Sequence, residues 1–222
     1  MGIEIGGTNQ GQGRTLTLGG VIPAAPTTTQ PVVPMLQLSK GEKLALVKTT
    51  GAVEQVRLGT GWDPHQVPGQ AWDIDVTAII LDANGKSRMG KFVCFDQRFR
   101  QTEEGGIKHN GDNLNGKGEG IDETIDAILT KLSPQDVKVK FFAHIFDAKA
   151  KGQHFGLVRN AFIQLDEINT ADQLARFSLT DNYSGYTAIE FGELVNLGTA
   201  WQFNATGIGL NEACEETINR FM

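Results

Sequence analysis

Residues 137–146, VKVKFFAHIF, alternate so strictly that they leave little choice of backbone. Val137, Val139, Phe141, Ala143 and Ile145 fall at every second position. Only an extended strand, with its two-residue repeat, puts them on one face. The same texture recurs from Met35 onward. Short β-rich segments at 44–48, 53–58, 73–81, 91–95, 158–165, 174–179, 188–194 and 201–205 are separated by Gly, Asn and Asp. Segment 73–81 (DIDVTAIIL) runs into Asp82-Ala83-Asn84-Gly85, a hairpin turn whose return strand is 91–95. Many short strands at regular spacing predict a mainly all-β chain, an antiparallel β-sandwich with a few short helices. Residues 121–132 stand apart: Ile121, Ile125, Ile128, Leu129 and Leu132 fit a short helix better than a strand.

The two ends read differently from this body, which spans 35–210. Residues 1–34 are rich in Gly, Thr, Gln and Pro, and Pro23, Pro26, Pro31 and Pro34 exclude a helix. They predict an extended arm. Ile3, Ile5, Leu16, Leu18, Val21 and Ile22 could pin it by adding an edge strand to a partner sheet. Residues 211–222, NEACEETINRFM, predict an amphipathic helix. Asn211 can cap it, Arg220 suits its last turn, and Cys214, Ile218, Phe221 and Met222 share a face. Such a helix either seals one end of the sandwich or docks on another subunit.

Composition narrows the function. With a formal net charge of −6, the chain is a poor match for nucleic acid or an anionic membrane surface. No apolar run approaches the roughly 20 residues of a membrane span. The opening MGIEIGGTNQ lacks a basic region and an apolar core, so no signal peptide is expected, and Gly6 stands where myristoylation wants Ser or Thr. Cys94 and Cys214 do not make a disulfide framework, and a reduced, cytoplasmic setting fits them.

Chemistry concentrates in residues 111–123, GDNLNGKGEGIDE. Asp112, Glu119, Asp122 and Glu123 crowd among glycines and asparagines, with Lys117 the only cation. Carboxylates, Asn oxygens and backbone carbonyls are the ligands that hard divalent cations take. A solvated acidic loop accounts for the composition equally well. Upstream, Asp73 and Asp75 share a strand face, which is costly without a cation or donors. The loop nearly matches a phosphate-binding P-loop, but Gly118 replaces the required Ser or Thr, and the EF-hand spacing cannot be laid over it. His65, His109, His144 and His154 show no zinc spacing, and no serine or cysteine sits in a nucleophile motif. The chain is therefore expected not to be an enzyme.

Several segments together carry a resemblance. Ser39-Lys40-Gly41-Glu42-Lys43-Leu44, Leu58-Gly59-Thr60-Gly61-Trp62-Asp63, Asp73-Ile74-Asp75 and the acidic loop occur in that order. Gln153-His154-Phe155-Gly156-Leu157-Val158-Arg159-Asn160-Ala161, Glu190-Phe191-Gly192-Glu193-Leu194 and Trp201-Gln202-Phe203 follow. The series resembles the TerD family of tellurite-resistance and stress-response proteins, over about residues 35–210. The resemblance implies a β-sandwich that binds Ca2+ through acidic loops at one end, without an established enzymatic activity. The family's DLD pair is Asp73 and Asp75 here, and its GDN and GEG are Gly111-Asp112-Asn113 and Gly118-Glu119-Gly120. Its GDDE loses one carboxylate to Ile121, leaving Asp122 and Glu123. Its FVFYN is Phe92-Val93-Cys94-Phe95-Asp96, where Asp96 for Asn adds a charge back.

The expected metal ligands are thus Asp73 and Asp75 on one wall and Asp112, Asn113, Glu119, Asp122 and Glu123 on the other, around one or two Ca2+ ions. The expected partners are the divalent cation and, through the arm and terminal helix, other protein chains. An alternative is a structural subunit of a larger assembly, such as a phage particle or surface complex, in which those two elements dock.

Overall fold

A computed structural model describes residues 36–48, 51–67, 70–118, 120–179 and 183–222. They fall within a compact unit running from residue 33 to residue 222. The arm expected at 1–34 lies outside the described residues. The strands in chain order are β1 (Leu36–Gln37), β2 (Lys43–Ala45), β3 (Val47–Lys48), β4 (Gly51–Ala52), β5 (Gln55–Gly61), β6 (Ile74–Leu81) and β7 (Phe92–Val93). They continue with β8 (Ile107–His109), β9 (Glu123–Ile128), β10 (Lys138–Ile145), β11 (Phe162–Glu167), β12 (Gln173–Ser178), β13 (Ala188–Asn196) and β14 (Trp201–Leu210). Two α-helices follow their neighbouring strands, α1 (Ala148–Lys151) and α2 (Cys214–Phe221).

Two six-stranded sheets make the sandwich. The first runs β1-β12-β11-β5-β9-β8 and the second β2-β14-β13-β10-β6-β7, with β3 and β4 forming a separate ribbon. Neighbours are antiparallel except β1, which lies parallel to β12. No helix among the described residues is long and apolar enough to cross a membrane.

The two-residue repeat sorts side chains between layers. On β6, Ile74, Val76, Ala78 and Ile80 enter the core between the sheets; on β10, Val139, Phe141, Ala143 and Ile145 do the same. Val56 and Leu58 of β5, Ile125 and Ala127 of β9, and Ile163 and Leu165 of β11 meet them from the first sheet. Each such side chain contributes on the order of 1.5–3 kcal/mol by leaving water. The opposite face of β6 is buried as well. Ile79 and Leu81 join Phe92 and Phe142 in a second apolar cluster, and Ile218 and Phe221 of α2 pack on it.

Helix α2 therefore covers the outer face of the second sheet rather than an end of the sandwich. Its start also differs from the expectation. Asn211 accepts from the Thr187 amide through Oδ1 (3.3 Å), while the Ala213 amide donates to Glu216 Oε2 (2.7 Å). Glu216 reaching back from the first turn satisfies an amide that has no helical partner. Inward-facing Thr217 is fully buried, and Met222 is left 40% exposed, so the apolar stripe read from the sequence stops short of the last residue.

Residues 121–132 do not form a helix. They supply strand β9 and then a 3-10 turn at Leu129–Lys131. Glu123, Ile125 and Ala127 point inward while Thr124, Asp126 and Ile128 are half-buried. Strand β9 bonds to β5 on one side and to β8 on the other, and this pairing overrides the helix-like spacing of its isoleucines. The expected return strand at 91–95 shrinks to β7, because the chain turns away after Cys94. The expected strand at 158–165 begins only at Phe162, after a 3-10 turn at Phe155–Leu157.

Candidate metal centre

The short β7 leaves part of β6 without a neighbour. Strand β7 pairs only with Ala78 and Ile79. The Val76 amide points to the same open edge and donates instead to Glu123 Oε2 (3.1 Å). Glu123 opens β9, in the other sheet, so one buried carboxylate ties the two sheets together. Its Oε1 accepts from the Asn113 amide (2.9 Å), which fixes the loop between β8 and β9. Hydrogen bonds of this charged kind are worth about 1.5–3 kcal/mol each. His109 closes the arrangement: Nδ1 accepts from the Gly111 amide (3.3 Å), and Nε2 lies 3.4 Å from Glu123 Oε2.

The loop itself is built on Asn113. Its Oδ1 accepts from the amides of Asn115 (3.2 Å) and Gly116 (3.1 Å), and its Nδ2 donates to Asp122 Oδ1 (2.8 Å). Asp122 Oδ2 accepts from the Trp62 amide (3.0 Å). Gly116 has φ +65°, and a Cβ there would lie 2.4 Å from Trp62 Nε1. Only glycine meets both demands. The loop is thus pinned before any ion is considered.

Held this way, the loop brings Asp112 to the start of β6. One carboxylate oxygen from each of Asp73, Asp75 and Asp112 lies within 4.8 Å of the others. Two oxygens on a common Ca2+, each at 2.3–2.6 Å, are separated by no more than about 5 Å. Asp73 and Asp75 project from the β6 face opposite the core. Asp75 is buried and Asp73 half-buried, whereas Asp112 is exposed and faces Arg100 Nη2 at 3.9 Å.

The electrostatics of the trio are unfavourable as it stands. Burial, followed by the charges of Glu123, Asp73 and Asp112, pushes Asp75 up to about 9. Burial also raises Asp73 to about 6, opposed by Lys151 and reinforced by Asp112 and Glu123. Lys151 itself donates to the Phe146 carbonyl (2.9 Å). Asp73 Oδ1 is buried with no hydrogen-bond partner among the described residues. A buried carboxylate oxygen lacking a donor costs free energy that a bound cation recovers. The residues present therefore fit a hard divalent ion, with three carboxylates as its protein ligands.

The seven ligands read from the sequence part company here. Asp73, Asp75 and Asp112 converge. Glu123 borders them and is committed to two amides. Asn113 and Asp122 hold the loop and each other. Glu119 lies outside the described residues. Asp96 does not join the trio: it caps a 3-10 turn and pairs with Arg98 (2.6 Å), and the hydrogen bonds from Arg98 draw its carboxyl down to about 2. The bridging role of Glu123 and its proximity to His109 have no sequence signal beyond His109 standing just before the loop.

Comparison with known proteins identifies the family. The TerD domain model matches residues 35–221. The chain is 39% identical to "Tellurium resistance protein TerD" of Alcaligenes sp over 175 residues, covering 78% of this chain and 90% of that protein. It is 36% identical to "General stress protein 16U" of Bacillus subtilis (strain 168) over 176 residues, with the same two coverages, 78% and 90%. Its fold matches the crystal structure of a homologue of the telluride resistance protein TerD from Streptomyces coelicolor A3(2). That match has a TM-score of 0.63 at 22% identity over 74% of this chain and 94% of that one, and a second solved structure, of a protein of unknown function, matches with a TM-score of 0.64 at 27% identity over 75% of this chain and 95% of that one. The chain belongs to the TerD domain family, and the two relatives just described are a tellurium-resistance protein and a general stress protein.

Proposed function

We propose that this TerD-domain chain is a non-enzymatic Ca2+-binding β-sandwich of the tellurium-resistance and stress-response type. In this reading the ion seats on Asp73, Asp75 and Asp112 and ties the acidic loop to the start of β6. The observation that carries it is the convergence of three carboxylates within 4.8 Å, one of them with a buried, unpartnered oxygen. The trio accounts for one ion. Loop order and ion binding are then linked, because the ion binds the folded arrangement and not the unfolded chain.

Melting the full chain with and without Ca2+ tests the reading. Millimolar Ca2+ raises the melting temperature, and Asp75→Ala combined with Asp112→Ala abolishes the rise. A melting curve unmoved by Ca2+ refutes it. The rival reading, an assembly subunit docked through its ends, has lost part of its motive. Ile218 and Phe221 of α2 are spent on the chain's own second sheet. Trimming residues 1–34 and measuring mass in solution tests what remains of that rival.

A further inference from the structure

The two cysteines, distant in sequence, meet in the fold. Cys94 follows β7 and Cys214 opens α2; both are free thiols, Cys94 buried and Cys214 half-buried. Val93 pairs with Ala78, so Cys94 comes next, opposite Thr77, and Thr77 Oγ1 lies 3.2 Å from Cys214 Sγ. Both thiols line a cavity of about 620 Å³ between α2 and the segment after β7, walled by Phe92, Phe95, Phe99, Phe146 and Ile218. A pair used only for packing needs no such opening. This one has a route by which a small reagent reaches both sulfurs.

We propose that Cys94 and Cys214 are a redox-active dithiol that closes to an intramolecular disulfide on reaction with a hydroperoxide admitted through this cavity. The thiolate of Cys94 attacks the peroxide O–O bond, gives a sulfenic acid and releases the alcohol, or water when the oxidant is hydrogen peroxide. The Cys214 thiol then attacks the sulfenic sulfur, the S–S bond forms and water leaves. Two electrons pass from the sulfurs to the peroxide, and two thiols plus one hydroperoxide become one disulfide, one alcohol and one water. Closure brings the sulfurs to about 2.05 Å. The product staples the terminal helix to the sheet edge beside β7.

The experiment treats the reduced full-length chain with stoichiometric hydrogen peroxide or cumene hydroperoxide. It counts thiols after denaturation and maps peptides by mass. The expected result is loss of both thiols, a monomer lighter by two hydrogens, a peptide joining Cys94 to Cys214, and full recovery with dithiothreitol. Cys214→Ser is expected to leave a sulfenic acid at Cys94 that dimedone traps. Thiols that stay free, disulfides formed only between chains, or over-oxidation without a cross-link overturn the proposal. The wild-type peptide map decides these outcomes even if a serine variant folds poorly.

Discussion

Binding of an ion at the aspartate trio should expel a proton. In the metal-free chain Asp75 sits near 9, so at neutral pH it is almost wholly protonated. A cation competes with that proton for the same oxygens. Each pH unit below the pKa costs about 1.4 kcal/mol, a factor of about ten in affinity. At pH 7, about two units below, Ca2+ therefore binds roughly 100-fold more weakly than at the alkaline limit. Close to one proton leaves per ion. Below about 6 Asp73 also takes up a proton, and the dependence steepens toward two. Calorimetric titration in buffers of different ionisation enthalpy reads the proton count directly, and repeating it from pH 6 to 9 reads the slope. Binding that releases no proton at pH 7, or an affinity flat across that range, would refute the burial and charge crowding assigned to Asp75.

Three more outcomes follow from the same geometry. Asp75→Asn should stabilise the metal-free chain while abolishing its response to Ca2+. A carboxyl raised from 3.8 to about 9 contributes stability that is present below the unfolded value and lost as pH rises through the folded one, so the gain at pH 7 is up to about 4 kcal/mol, read by denaturant unfolding. His144 has the opposite sign. Burial, with Arg220 nearby, lowers it to about 3, so its contribution is intact above about 6.5 and is lost as pH falls, by about 2 kcal/mol at pH 5; His144→Asn should flatten that acid limb. Gly116→Ala places a Cβ against Trp62 at positive φ, and should weaken Ca2+ binding at least tenfold and speed amide exchange in residues 111–118 while the rest of the sandwich keeps its protection.

The sandwich was legible because its central strands alternate. Val139, Phe141, Ala143 and Ile145 enter the core as their spacing requires, and the same repeat put Asp73 and Asp75 on one face. Strand β9 hides its period in the sequence because its inward position 123 carries a carboxylate, which breaks the apolar alternation that Ile125 and Ala127 continue. The opposite-charge pair of Asp126 with Arg57 (2.6 Å) on β5 would have argued for a strand, but only with the pairing known. The acidic loop showed its composition and not its division of labour. Whether an Asn oxygen turns toward an ion or toward amides two and three residues ahead is settled by backbone geometry, and at Asn113 the amides win. The meeting of Cys94 with Cys214 left no trace in spacing, since it depends on how α2 lies across the second sheet.

One local event connects these features. Had β7 continued past Val93, it would have paired with β6 back toward Asp75 and claimed the Val76 amide. Instead Asp96 caps a 3-10 turn, the Cys94 amide donates to the Phe99 carbonyl (3.1 Å), and the chain leaves the edge. The departure frees Val76 for Glu123, so the sheets are joined beside the aspartates rather than sealed by a strand. It also stops Cys94 within reach of α2. On the outer face of β6, Asp75, Thr77 and Ile79 then meet the acidic loop, the Cys214 thiol and the apolar side of the helix in turn, at steps of about 7 Å. The inner face of the same strand is filled by Ile74, Val76, Ala78 and Ile80 whatever happens outside. Pleating thus lets one strand serve the core and the chemistry independently, and the cost is an open edge whose Val76 amide is satisfied by a buried carboxylate from the other sheet.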